Sequence, residues 1–328
     1  MEYGHTGRGR RGKLIRILLL LVMAVCLLKI GQAHYISVEN EKQQKQLAET
    51  REANGNNGTN QQAEIDEAET AEPTADEPDA RRAEKEASGT KKETSEPETE
   101  RAEPETAAKS EQAMGQGEAG ETAGPEQGNT QEEFTEPVIL DKYAALYEQN
   151  SDLAGWLSID GMVINYPVMQ CGDDEYYLHH DFYGNDSKYG CLYVRGSADI
   201  HTPGTNFIIY GHNMKDGSMF GDLDLYKEES FFREHSFISF DTLYEERTYE
   251  IVSVFLSQVY EEEADVFKYY RFYQADTQRE FDDFYDNIKE MSLYDTGVEA
   301  EFGDTFLTLS TCAYHVADGR LVVVAKRI

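Results

Sequence analysis

The sequence predicts a mainly β domain, a barrel or sandwich with appended helices, carried behind a basic and then apolar N-terminus. Three observations lead there. From about Pro137 onward, short runs rich in β-branched and aromatic residues recur, separated by Gly, Asn and Asp turn signals. Only two or three stretches in that region have helical spacing, and no strand–helix–strand rhythm appears. Nearly all the aromatic residues, with the single Trp156, fall in the same region.

Composition narrows the partners. The 328 residues suffice for about two average domains. With 63 acidic against 30 basic residues, the formal net charge is −33. This argues against nucleic acid or an anionic lipid surface as the main partner, since both need a basic face. Four cysteines, one of them in an apolar run, do not make a disulfide-built miniprotein.

Taken in order, residues 1–13 form a basic tail, with Arg8, Arg10, Arg11 and Lys13. Residues 14–30 read as a membrane-spanning signal-anchor, near the lower length limit of about 17 residues. Arg16 and Lys29 lie near its ends, where they snorkel to headgroups. The positive charge before the segment places the N-terminus in the cytoplasm and the rest outside the cell membrane. A cleaved signal peptide is the rival, but Gly31-Gln32-Ala33 is a weak cleavage site. Residues 31–136 read as a disordered acidic linker, with no aromatic residue between Tyr35 and Phe134. Within it, Glu41 to Arg51 permits a short helix. A flexible coil of roughly 100 residues spans about 55 Å.

Residues 137–328 form the globular domain. Leu140 to Asn150 has helical spacing. A strand at 155–159, a turn at Asp160-Gly161 and a strand at 162–168 predict a hairpin. Further strands follow at 190–194, 206–210, 237–240 and 248–259, and a helix at 277–291 with Phe281, Phe284, Tyr285 and Ile288 on one stripe. The last hairpin is Thr305 to Cys312 and Arg320 to Lys326, with Asp318-Gly319 as its turn signal.

That hairpin carries chemistry. Direct pairing would set Cys312 and Arg320 on one face with Cβ atoms about 5 Å apart. Arginine lowers a thiol pKa, keeps its own proton and offers two hydrogen bonds to an oxyanion. His212 follows the strand Asn206 to Tyr210 and a glycine, at a partly exposed strand end. Taken alone, the histidine reads as structural and the cysteine as a buried small hydrophobe. Together the three fit acyl transfer: thiolate attack, oxyanion stabilisation and protonation of a leaving amine.

Thr308-Leu309-Ser310-Thr311-Cys312 with Arg320 eight residues on, and Tyr210-Gly211-His212-Asn213-Met214 upstream, resemble a sortase, specifically of class B. Asn165 to Val168, Tyr177-Leu178 with Asp181-Phe182, and the long stretch 261–297 before the cysteine strand support the resemblance over 140–328. It implies an eight-stranded sortase-type β-barrel with an N-terminal helix and a helix in the insertion before the cysteine strand. It implies a membrane-anchored cysteine transpeptidase that cleaves a C-terminal sorting motif of secreted proteins after threonine. A Cys312 thioester then passes to a peptidoglycan amine. By resemblance His212, Cys312 and Arg320 are catalytic, and Leu178, Ser310 and Thr311 are substrate-binding. No cofactor and no metal is expected. The expected partners are surface proteins with a C-terminal sorting signal, a peptidoglycan precursor amine and the cytoplasmic membrane.

Rival readings use the same residues. His315 is nearer Cys312 but lies in the hairpin loop. NlpC/P60 peptidases place cysteine before histidine, and L,D-transpeptidases carry arginine almost directly after cysteine; neither order occurs here. His179-His180-Asp181 has no zinc spacing. Glu261-Glu262-Glu263 with Asp265 offers a calcium loop or a solvated charge run. Cys171 and Cys191 leave a disulfide open. The alternative from another class is a tethered binding or structural module with an inert cysteine.

Overall fold

The computed structural model describes residues 7–69 and 137–328. Its first element is one long helix, α1 (Gly7–Glu69). Near the N-terminus α1 is long and apolar enough to cross a membrane, and its large apolar side chains between Leu18 and Ile30 are exposed.

The linker expected from residue 31 is helical as far as Glu69, and part of it is packed. Asn40, Gln44 and Leu47 are buried, and with Arg51 they follow 4-3-4 spacing along one helix face. Leu47 enters a cluster with Tyr143, Leu146 and Trp156. The Arg51 guanidinium lies 5.3 Å from the Trp156 ring and 3.5 Å from Asp241. Composition averaged over a long window hid this face, because the apolar surface that covers it comes from distant residues. The remainder of the expected linker, 70–136, lies outside the described residues, as does the start of the basic tail.

After α2 (Asp141–Gln149), and with the short helices α3 (Tyr176–His179) and α4 (Glu229–Glu234) in the connections, eight strands follow in chain order: β1 (Leu153–Ser158), β2 (Asn165–Met169), β3 (Leu192–Tyr193), β4 (Asn206–Tyr210), β5 (Phe237–Thr242), β6 (Thr248–Gln258), β7 (Phe306–Cys312) and β8 (Gly319–Arg327). They close a barrel in the order β1-β2-β3-β4-β7-β8-β6-β5. The expected mainly β, eight-stranded fold is thus present. The turn after β1 is wider than Asp160-Gly161 alone. Gly161 takes φ +77°, the Ile159 amide donates to the Ile164 carbonyl, and β2 starts at Asn165.

Alternation along β7 and β8 decides what lies on each side of the wall. Leu307, Leu309, Leu321, Val323 and Ala325 fill the barrel with Phe207 and Ile209 of β4. Phe306, Val322 and Val324 face outward and are covered by α5 (Gln278–Met291) through Phe281, Phe284 and Ile288. Strands buried on both faces read as continuous apolar runs. Burial of each such side chain contributes about 1.5–3 kcal/mol. Helix α5 starts at a capping box: Thr277 Oγ1 accepts from the Glu280 amide, and Glu280 accepts from the Thr277 amide.

Parallel pairing of β4 with β7 sets Tyr210 opposite Ser310. Antiparallel pairing of β7 with β8 sets Cys312 opposite Arg320. Residues about a hundred positions apart therefore meet at one end of the wall.

Candidate active site

The site is built at the ends of β4, β7 and β8. Cys312 is the last residue of β7 and is half-buried, as is Arg320 beside it on β8. The hairpin turn is tight. Asp318 takes φ +51°, and a Cβ on Gly319 would stand 2.2 Å from the Ala313 carbonyl oxygen, so glycine is required there. The Ala313 amide donates to the Gly319 carbonyl at 2.9 Å, which closes the loop behind Cys312. His315 is exposed in that loop, away from any strand.

Arg320 Nη1 donates to the backbone carbonyls of Asp318 and Gly319, at 3.2 and 3.0 Å. No carboxylate among the described residues pairs with it. A guanidinium without a counter-anion beside a thiol is a ready anion holder.

His212 is placed by two devices. The β4 strand ends at Tyr210, and Gly211 is wedged against Leu192 and Phe220, where a Cβ would come within 2.5 and 2.8 Å. The imidazole Nε2 lies 2.8 Å from the Leu178 carbonyl oxygen. A carbonyl only accepts, so Nε2 carries the hydrogen and Nδ1 is the ring's other polar valence. Two further bonds tie the histidine segment to the cysteine strand. Asn213 Nδ2 donates to the Cys312 carbonyl at 2.8 Å, and Thr311 Oγ1 donates to the Gly211 carbonyl at 2.8 Å.

The three expected substrate-binding residues separate here. Ser310 is on the outer face with Cys312, and its hydroxyl is 2.7 Å from the Tyr269 phenol. Leu178 is half-buried and reaches His212 through its backbone. Thr311 is buried and its hydroxyl is engaged with Gly211.

Tyrosines that the sequence did not single out wall the site. Burial pushes the Tyr269 phenol up to about 12, with the Ser310 hydrogen bond and the Arg320 cation pulling the other way. Burial likewise takes Tyr193 to about 12, against the pull of Arg195. Both stay neutral and able to donate throughout the ordinary pH range. Tyr193 stacks on Tyr210 at 5.5 Å, and the Arg195 guanidinium lies over the Tyr210 ring at 5.5 Å. Tyr269 comes from the stretch between β6 and α5, where no local pattern marks it. Asn213 adjoins the histidine and was legible only as part of that motif.

Other candidates resolve simply. Cys171 and Cys191 are both free; Cys171 Sγ donates to the Asp173 carbonyl, and burial pushes the Cys191 thiol up. The Lys268 ammonium donates to the carbonyls of Glu262 and Ala264, so a lysine occupies the loop considered for calcium. The His180 ring stacks on Tyr176 and its Nδ1 lies 2.7 Å from the Tyr176 carbonyl oxygen.

Residues 157–328 match the family model of the sortase domain. The chain belongs to the sortase family. It is 33% identical over 196 residues to sortase B of Listeria monocytogenes, covering 58% of this chain and 75% of that protein. Among solved structures, sortase B from B. anthracis in complex with AAEK1 is similar at TM-score 0.52 and 36% identity, over 58% of this chain and 85% of that one. A Staphylococcus aureus sortase B–substrate complex is similar at TM-score 0.52 and 29% identity, over 58% and 86%. These likenesses make this sortase a class B enzyme, a cysteine transpeptidase.

Proposed function

We propose that this sortase cleaves a C-terminal sorting motif of secreted proteins after threonine and joins the new acyl end to a peptidoglycan amine. The observation that carries the reading is the direct pairing of Cys312 with Arg320 at the strand ends to which the neighbours of His212, Gly211 and Asn213, are hydrogen-bonded.

The Cys312 thiolate attacks the threonine carbonyl carbon, and Arg320 holds the resulting oxyanion. The tetrahedral intermediate collapses as the peptide C–N bond breaks, and His212 gives a proton to the leaving amine. An acceptor amine then attacks the thioester, loses a proton to His212 and releases the thiolate. Ser310 and Leu178 line the path of the motif. Thr311 acts by holding the histidine segment to β7. The apolar part of α1 anchors the enzyme in the cell membrane, with the N-terminus inside and the domain outside, in keeping with the basic residues that precede it.

The test is turnover of fluorogenic peptides of varied sorting motif by the full chain in detergent. Wild type should cleave one of them after threonine, and Cys312→Ala should cleave none. Equal cleavage by both proteins would refute the assignment. With Arg320→Lys, bidentate holding of the oxyanion is lost, and turnover should fall about 10²-fold or more with the fold intact.

A further inference from the structure

Helix α1 has two faces of work in one unbroken element. Between Leu18 and Ile30 its large apolar side chains are exposed, while from Asn40 to Arg51 one face is buried on the catalytic domain. At about 1.5 Å per residue, Ser37 lies about 10 Å beyond Ile30 along the axis and Arg51 about 32 Å beyond it. A headgroup layer is about 5–8 Å deep. We propose that α1 is a rigid post that seats the catalytic domain directly on the bilayer, with the loops 181–189 and 215–218 against the headgroups. This rests on the reading of α1 as the membrane anchor.

The order of contacts along α1 determines which end of the domain faces the membrane. Nearest the apolar segment, Ser37 Oγ donates to Asp216 at 3.2 Å, and Tyr189 donates to the same carboxylate at 2.8 Å. Two turns on, Gln43 Nε2 donates to Asp181 at 3.0 Å. Leu47 and then Arg51 follow, the latter against Trp156 and Asp241. The near end also carries exposed apolar surface in Tyr35, Ile36 and Tyr183. Charges there are mixed, with Lys188 and Lys215 beside Glu39 and Asp186, all exposed. Seating therefore follows from the helix and not from attraction to anionic lipid.

Two consequences follow for the chain. The near-end loops also hold the catalytic histidine: Leu178, three residues before Asp181, supplies its carbonyl partner, and Asp216 lies four residues after His212. The histidine segment is therefore continuous with the loops at the bilayer end of the domain. The spacing between bilayer and domain is also set by α1 itself: its position 55 still lies against Lys142 of α2, so the helix is held on the domain from Asn40 to that point.

The experiment uses the full chain reconstituted in phosphatidylcholine vesicles containing a lipid with a nitroxide on its headgroup. In wild type the emission of Trp156, buried far up the post, should be unaffected. In Tyr183→Trp the added emission should be lost to the nitroxide, and this loss should persist in high salt. Insertion of a flexible Gly/Ser segment after Ala33 should restore that emission. Unquenched emission from Tyr183→Trp with the helix intact overturns the proposal, as does quenching that survives the insertion or disappears with salt. Flotation with vesicles after an alkaline wash reads the anchor separately: protein that fails to float refutes the membrane span itself.

Discussion

Gly211→Ala is a perturbation of one methyl group whose effect on catalysis can be worked from the structure. The added Cβ would stand 2.5 Å from Leu192 Cδ2 and 2.8 Å from Phe220 Cδ2. Both neighbours are fully buried, Leu192 on β3 and Phe220 in the barrel core, so neither has free space to yield into. Overpacking of this kind costs about 1–3 kcal/mol. The relief that matters for catalysis is movement of the β4 end, which leads directly into the His212 turn. A shift there pulls on the Thr311 and Asn213 bonds and moves the imidazole relative to Cys312. A misplacement of about 1 Å costs about 10²-fold in rate. That loss corresponds to about 2.7 kcal/mol of barrier. The assay is kcat/KM for peptide cleavage beside a melting curve and the rate of Cys312 alkylation. The expected result is a large loss of turnover, a modest drop in Tm and a thiol that still reacts. Wild-type turnover from a protein with wild-type Tm would refute the argument that Gly211 is required to seat the histidine.

Other consequences are as direct. Thr311→Val keeps the shape but leaves the buried Gly211 carbonyl without its donor; a loss of about 1–3 kcal/mol in stability is expected by denaturant titration, with a fall in kcat larger than the change in KM. Leu47→Ala should lower stability by about 2–5 kcal/mol if α1 is part of the folded unit, and an unchanged unfolding midpoint would show that it is not. For Glu245, burial acts upward, but the hydrogen bonds and charges of Arg247 and Arg327 outweigh it and hold the carboxyl below its ordinary value of 4.5. A depressed carboxyl contributes stability that is full above pH 4.5 and is lost as pH falls through the folded-state value. Melting curves of Glu245→Gln should therefore depend less on pH below 4.5 than those of wild type, and parallel curves would exclude the pairing.

Much of this was legible in the chain because it is local. The 3.6-residue stripe of Phe281, Phe284 and Ile288 marks α5 within a residue at either end. The apolar runs of β7 and β8 read as strands because both faces are covered. Cys312 and Arg320 could be paired on paper since a hairpin joins them. What could not be read depends on contacts between distant residues. The parallel pairing of β4 with β7 brings Thr311 to Gly211, and no local pattern announces a parallel ladder. Tyr269 reaches Ser310 from an irregular segment. The buried face of α1 is short and polar, with one leucine, and has meaning only against Trp156 and Asp241. The two-residue β3 is too short to carry any period, and the sequence overstates it.

The measurement that bears most directly on the central claim is the intact mass of the full chain trapped with a cleavable sorting peptide and no acceptor amine. A thioester on Cys312 is predicted, carrying the peptide up to its threonine, released by hydroxylamine as the threonine hydroxamate, and absent from Cys312→Ala. Turnover with no acyl-enzyme at any time, or an adduct on Cys171 in place of Cys312, would contradict it.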